Sequence, residues 1–216
     1  MSIRSRLIYL TAFFSLLLMG IGGYGLYGLA SLNLEMENNQ KTSGMLVKAV
    51  DSARQSQVNF KIQIQEWKNT LLRGNDPAAF EKYSKAFDKE GALVKQNLQE
   101  TKALMEKLGL PPDPAETALK SHADLEEKYH QALKSYDSKN KESAGSVDKL
   151  VKGMDRAPTE QIDGIVKTIQ EQALSKMAEA EKVSTEKFQQ QKIVSISAIS
   201  LAILLGIVWA MFIIRS

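Results

Sequence analysis

No cysteine occurs in the 216 residues. Disulfides, thiolate metal sites, thiol nucleophiles and haem attachment through C-x-x-C-H are excluded together. Histidine is nearly as scarce, with two copies. His122 falls on an apolar helical seam and reads as a core residue. His130, eight residues on, is rotated off that seam and reads as surface, so neither is assigned to a metal. No stretch alternates polar and apolar residues with period two, which argues against strands. There is no Walker loop, no G-x-S-x-G and no catalytic cluster, so neither an enzyme nor a cofactor is expected. An excess of one charge is also missing where it would matter. The net +3 comes from Arg4, Arg6 and Arg215, and the rest of the chain carries 25 charges of each sign. Nucleic acid needs a basic face, and none is offered.

What the chain does have is two long runs without charge, residues 7–32 and 193–214. At ~1.5 Å per residue each is long enough for a hydrocarbon core of ~30 Å. Membrane lipid is therefore an expected partner. Arg4 and Arg6 before the first run, with Glu35 and Glu37 after it, orient the N-terminus to the cytoplasm. Lys182, Lys187 and Lys192 give the second run no such bias, so the first anchor decides. The expected order is a cytoplasmic 1–6, a membrane helix 7–32, an extracytoplasmic domain 33–192, a membrane helix 193–214 and a cytoplasmic 215–216. Gly22, Gly25 and Gly28 form a small-residue edge on the first run. Ala198, Ala202, Gly206 and Ala210 form one on the second, the pattern that lets membrane helices approach closely.

Between the runs, apolar residues recur at 3-4 spacing. A first seam runs through Leu32, Met36, Asn39, Ser43, Leu46, Val50, Ala53, Gln57, Phe60, Ile64, Trp67 and Leu71 until Gly74 and Asn75 stop it. Asp76 then Pro77 open a second helix to about Lys107, with Phe80, Tyr83, Phe87, Val94, Leu98, Met105 and Leu108 on one face. Gly109 and Pro111-Pro112 end it. Asp113-Pro114 repeat the start for a third helix bearing Ala115, Ala118, His122, Leu125, Tyr129, Ala132 and Tyr136. The 138–146 stretch is polar and contains Gly145, which allows a kink or local break, but the register continues to Asn140, Ser143, Val147, Leu150 and Met154 and favours one helix. After a turn at 155–159, a fourth helix carries Ile162, Val166, Ile169, Ala173, Met177 and Ala180 into the second run. Short connections favour antiparallel neighbours. The expected fold is all-α, an antiparallel up-down-up-down four-helix bundle flanked by two transmembrane helices.

Residues 60–74, FKIQIQEWKNTLLRG, followed by Asn75-Asp76-Pro77, resemble a recurrent stretch of bacterial methyl-accepting chemotaxis proteins. DRAPT at 155–159 resembles a second one at the matching turn. The resemblance covers anchor, bundle and anchor, and implies the sensing region of a chemoreceptor in the bacterial inner membrane. It also implies a homodimer paired through the first helices. The sequence stops where the family's HAMP linker begins, so the expectation is a truncated receptor or a free-standing sensor whose cytoplasmic partner is unknown. The input domain of a histidine kinase or diguanylate cyclase, or a ligand-free helical scaffold, shares the architecture.

Topology brings both stretches to the membrane-distal end. Of three arginines in the soluble region, Arg54, Arg73 and Arg156, two lie there, and a guanidinium can hold a carboxylate through two parallel hydrogen bonds. Lys68, Asn69, Arg73, Arg156 and Thr159 thus form a candidate site for a small anionic ligand, an amino acid or organic acid. The family's use of arginines on the first helix adds Arg54. The competing reading is a salt-bridge network in which Arg73 pairs with Asp76 or Asp155 and Trp67 is core.

Overall fold

The computed structural model describes residues 3–215. Met1, Ser2 and Ser216, assigned above to the cytoplasmic ends, lie outside the described residues. The described residues form five helices: α1 (Ile3–Arg73), α2 (Pro77–Lys107), α3 (Asp113–Leu133), α4 (Ser143–Val151) and α5 (Arg156–Arg215). No strand occurs among the described residues. Contacts divide the chain into two units, one of residues 42–175 and one of residues up to 41 together with those from 176 onward.

In the 42–175 unit the helices form a bundle of four arms, the third made of α3 and α4. Cross-contacts give its directions. Ser52 Oγ donates to the Asn97 carbonyl and Asn59 Nδ2 to Glu90 Oε2, so α1 and α2 run antiparallel. Lys102 pairs with Glu116 at 2.6 Å and Asp88 approaches His130 at 3.3 Å, so α2 and α3 do too. Trp67 packs on Tyr129 and Gln63 meets His122, which makes α1 and α3 parallel. Gln57 Nε2 donates to Asp163 Oδ1 at 2.6 Å, joining α1 to α5. One core, from Leu46 to Ile169, draws on all five helices.

Local chemistry explains the boundaries. Asp76 accepts from the Ala78 amide at 3.1 Å with Pro77 in the first turn, the expected cap. At the far end of α2, Gly109 adopts φ +66°, its N–H reaches the Glu106 carbonyl and that of Leu110 the Met105 carbonyl. This paired arrangement satisfies carbonyls the helix leaves open, and it needs a left-handed residue. The expected Asp113 cap is not formed: Asp113 is the first residue of α3, Pro112 takes the cap position, and no side chain caps the helix. At α5, Thr159 donates both its N–H and its hydroxyl to the Asp155 carbonyl. Gly153, at φ +79°, turns the chain just before it.

Two expectations are corrected. The third arm is not one helix, because α3 ends at Leu133 and α4 starts at Ser143. Between them the Asp137 and Asn140 carboxyl and amide oxygens accept from the amides of Lys139 and Glu142, and the Ser143 hydroxyl accepts from the Asp137 amide at 2.8 Å. These short-range bonds compete with helix for the backbone donors. The register slips with the break: Ser143, Val147 and Val151 are buried, while Leu150 and Met154 are exposed. The seam of α1 is also rotated. Leu46, Ala53, Phe60, Trp67 and Leu71 are buried as expected, but Ala49, Ser56, Gln63 and Thr70 are buried as well, with Val50, Gln57 and Ile64 only half-buried.

In the other unit, α1 and α5 each contain a stretch long and apolar enough to cross a membrane. Gly28 is buried against the Gln191 side chain, which occupies the space a Cβ would need. Gly206 faces the Phe14 ring, and the Trp209 and Phe13 rings stack at 6.4 Å.

Candidate functional site

At the end of the bundle where α1 stops, a groove of about 290 Å³ opens between α1 and α4. Leu71, Leu72 and Ala144 make it apolar, Gly145 contributes no side chain, and Lys68 and Asp148 put one charge of each sign on its walls. The break in the third arm creates this groove, because it sets α4 as a separate short helix beside the last turn of α1. Within the core of the bundle, the Tyr129 ring is 4.5 Å from Trp67 and 5.9 Å from Phe87. Burial pushes the Tyr129 phenol well above its ordinary range, and the nearby carboxylates of Asp155 and Asp148 add to this.

The candidate residues do not converge. Lys68 lines the groove. Asn69 donates to Glu66 on its own helix at 3.3 Å, and Thr159 is committed to the start of α5. Arg73 turns towards α2, donating to the Tyr83 hydroxyl at 2.6 Å and lying 5.4 Å from that ring's centroid. Neither Asp76 nor Asp155 takes it, which corrects the salt-bridge reading; Asp76 is occupied in capping α2. Arg156 is exposed, and no hydrogen bond or ion pair joins it to α1 among the described residues. Arg54 is exposed too, and lies roughly 29 Å along the helix from Arg73 at ~1.5 Å per residue. Within one chain it belongs to no common site with the others. Trp67 is core, at 2% exposure.

A second constellation sits inside the bundle. Gln63 Oε1 is 2.8 Å from His122 Nε2, and Gln63 Nε2 donates to Glu126 Oε1 at 3.0 Å. Glu126 Oε2 stands 3.9 Å from His122 Nδ1, one helical turn away. With the Gln63 amide NH₂ committed to the carboxylate, its carbonyl faces the imidazole, so Nε2 carries the histidine proton. Gly91 makes room on α2, since a Cβ there would overlap both Glu126 and Gln63. Burial, helped by the Lys95 ammonium, lowers the His122 pKa to about 4, and burial raises that of Glu126 above the usual carboxylate value. Reading His122 as a core residue did not name Glu126 beside it, although their four-residue spacing is visible in the sequence.

In the other unit, Gly28 and Ala202 are buried, Gly25, Ala198 and Gly206 are half-buried, and Gly22 and Ala210 are exposed. Gly28 lies beside the Gln191 side chain and Gly206 beside the Phe14 ring.

A four-armed helical bundle on a chain with two helices apolar enough to span a bilayer defines a class, the helical bundles with membrane-spanning candidates at both ends. The family model described as the Tar ligand binding domain homologue matches residues 1–193, and the chain belongs to that family. Its ligand-binding domains are sensors rather than enzymes. The chain is also similar to the methyl-accepting chemotaxis protein CtpH of Pseudomonas aeruginosa, with 28% identity over 163 residues. That alignment takes in 74% of this chain, and the chain covers 27% of the relative. No solved structure matches. The chain is a chemoreceptor sensory region.

Proposed function

We propose that this region binds a small anionic ligand, an amino acid or organic acid, at the end of the bundle where α1 stops. Binding then biases α5 and, through it, the apolar run at 193–214. The groove beside Lys68 carries the reading, because it offers an ammonium above an apolar floor with Asp148 opposite. A carboxylate gains a charge-assisted hydrogen bond there, and an amino group on the same ligand would face Asp148. A ligand can shift α5 only by binding its two arrangements with different affinity. Arg156, exposed next to this end, is a second cation within the proposal; Arg73, Asn69 and Thr159 serve structure.

The test is thermal unfolding of the chain against amino acids and organic acids. A stabilising ligand is expected, and Lys68→Ala should reduce its effect by roughly tenfold in affinity, the worth of one charge-assisted bond. Stabilisation that persists unchanged in both Lys68→Ala and Arg156→Ala would refute the site. Pairing of two chains through α1 also belongs to the proposal, supported by Val47, Val58, Ile62 and Leu72, which leave apolar surface exposed on that helix. The cytoplasmic placement of both termini rests on Arg4 and Arg6, and topology reporters fused at each end would test it.

A further inference from the structure

We propose that the paired apolar helices hold the headgroup of one glycerophospholipid, a zwitterionic one with a primary ammonium, where their charge-free runs give way to Glu35 and Lys187. A pocket of about 250 Å³ lies there. α1 lines it with Tyr27, Gly28 and Ser31, and α5 with Lys187, Gln190 and Gln191. Tyr24, Leu32 and Val194 complete its wall. At ~30 Å³ per water-sized volume, the space suits a phosphodiester with a two-carbon amine.

Three features point to a lipid headgroup. The pocket straddles the boundary between charge-free and charged sequence on both helices, the depth at which headgroups and tyrosines reside. On α5 its lining passes from Val194 to the Gln191 and Gln190 amides and the Lys187 ammonium, matching the gradient from acyl chain to phosphate. It is also a built recess: Gly28 is buried beneath Gln191, and any side chain at position 28 would displace that amide.

The charges select the headgroup. Lys187 Nζ is 2.9 Å from Glu35 Oε2. This pair is neutral, so a net negative lipid gains no general advantage over a zwitterion. An ammonium has three donors, and Glu35 takes one, leaving two for a phosphodiester oxygen alongside the amides of Gln190 and Gln191. The Glu35 carboxylate keeps acceptor sites for the lipid's own ammonium. A primary ammonium can donate to it; a trimethylated one cannot.

The experiment is native mass spectrometry of the full chain released from nanodiscs containing equal amounts of phosphatidylethanolamine, phosphatidylcholine and phosphatidylglycerol. Retention of phosphatidylethanolamine over phosphatidylcholine by about tenfold is expected, the scale of one charge-assisted hydrogen bond. Glu35→Gln should remove that preference, and Lys187→Gln should weaken retention of both zwitterionic lipids alike; both side chains reach solvent. Equal retention of the three lipids, stronger retention of phosphatidylglycerol, or a preference unchanged in Glu35→Gln would overturn the proposal. None of these outcomes depends on the ligand groove at the bundle's end, which the thermal-unfolding screen tests separately.

Discussion

His122 is 1% exposed, and its ring meets the edge of Phe60 at 5.8 Å and the amide of Gln63 at 2.8 Å. A buried polar side chain is tolerated when its bonds are made, and leaving one unmade costs about 1–3 kcal/mol. Gln63→Leu strands both His122 and Glu126, so chemical denaturation should show a loss of that size. Gln63→Leu with His122→Leu removes the stranded imidazole and should recover much of it; a double variant no better than the single one would show that the layer is not coupled. The pH dependence follows from the same site. The unfolded imidazole takes up a proton near pH 6.5, whereas the folded one refuses it until about pH 4. Stability from neutral His122 is therefore complete above about pH 6.5 and is lost as pH falls towards 4, by up to about 3 kcal/mol. Glu126, whose folded pKa is raised, binds its proton more readily when folded and offsets part of that loss. The melting temperature should fall between pH 7 and 5, and fall less in the double variant. An identical slope in both proteins would assign the effect elsewhere.

The elements end where their side chains make ending favourable. Ser143 is 5% exposed and accepts the Asp137 amide, holding the turn between α3 and α4. Ser143→Ala should cost about 1 kcal/mol, with faster hydrogen exchange at the Asp137 amide as its local signature. Gly109→Ala, at φ +66°, should cost about 1 kcal/mol or more, because an L side chain is strained there. An unchanged melting temperature in that variant would rule out the left-handed cap as a source of stability. Helix ends marked by Gly and Pro were legible without coordinates, as Asp76-Pro77 and Gly109 show. The break at 134–142 was not, since the 3-4 register of Ser143 and Val147 fits either outcome. Local Asx and serine bonds decided it, and they depend on which backbone amides are left free.

For the whole molecule, membrane attachment and fold class follow from composition. Two charge-free runs of hydrocarbon-spanning length, and seven-residue spacing without a period of two, leave helices as the economical way to satisfy the backbone. The four arms and their order were set by the same patterning, because short connections force neighbours to reverse. Tertiary structure decided which half of each seam faces inward. On α1 it turned Ser56, Gln63 and Thr70 to the core in place of Gln57 and Ile64: Gln63 finds its partners on α3, in His122 and Glu126, while Ser56 and Thr70 bond back to the Ser52 and Glu66 carbonyls of their own helix. It likewise sent Arg73 to Tyr83 and opened a groove at Lys68. Hydrophobic periodicity is a property of one helix and can be read along it. Hydrogen bonding and charge pairing are properties of two helices at once, and only their packing brings the partners together.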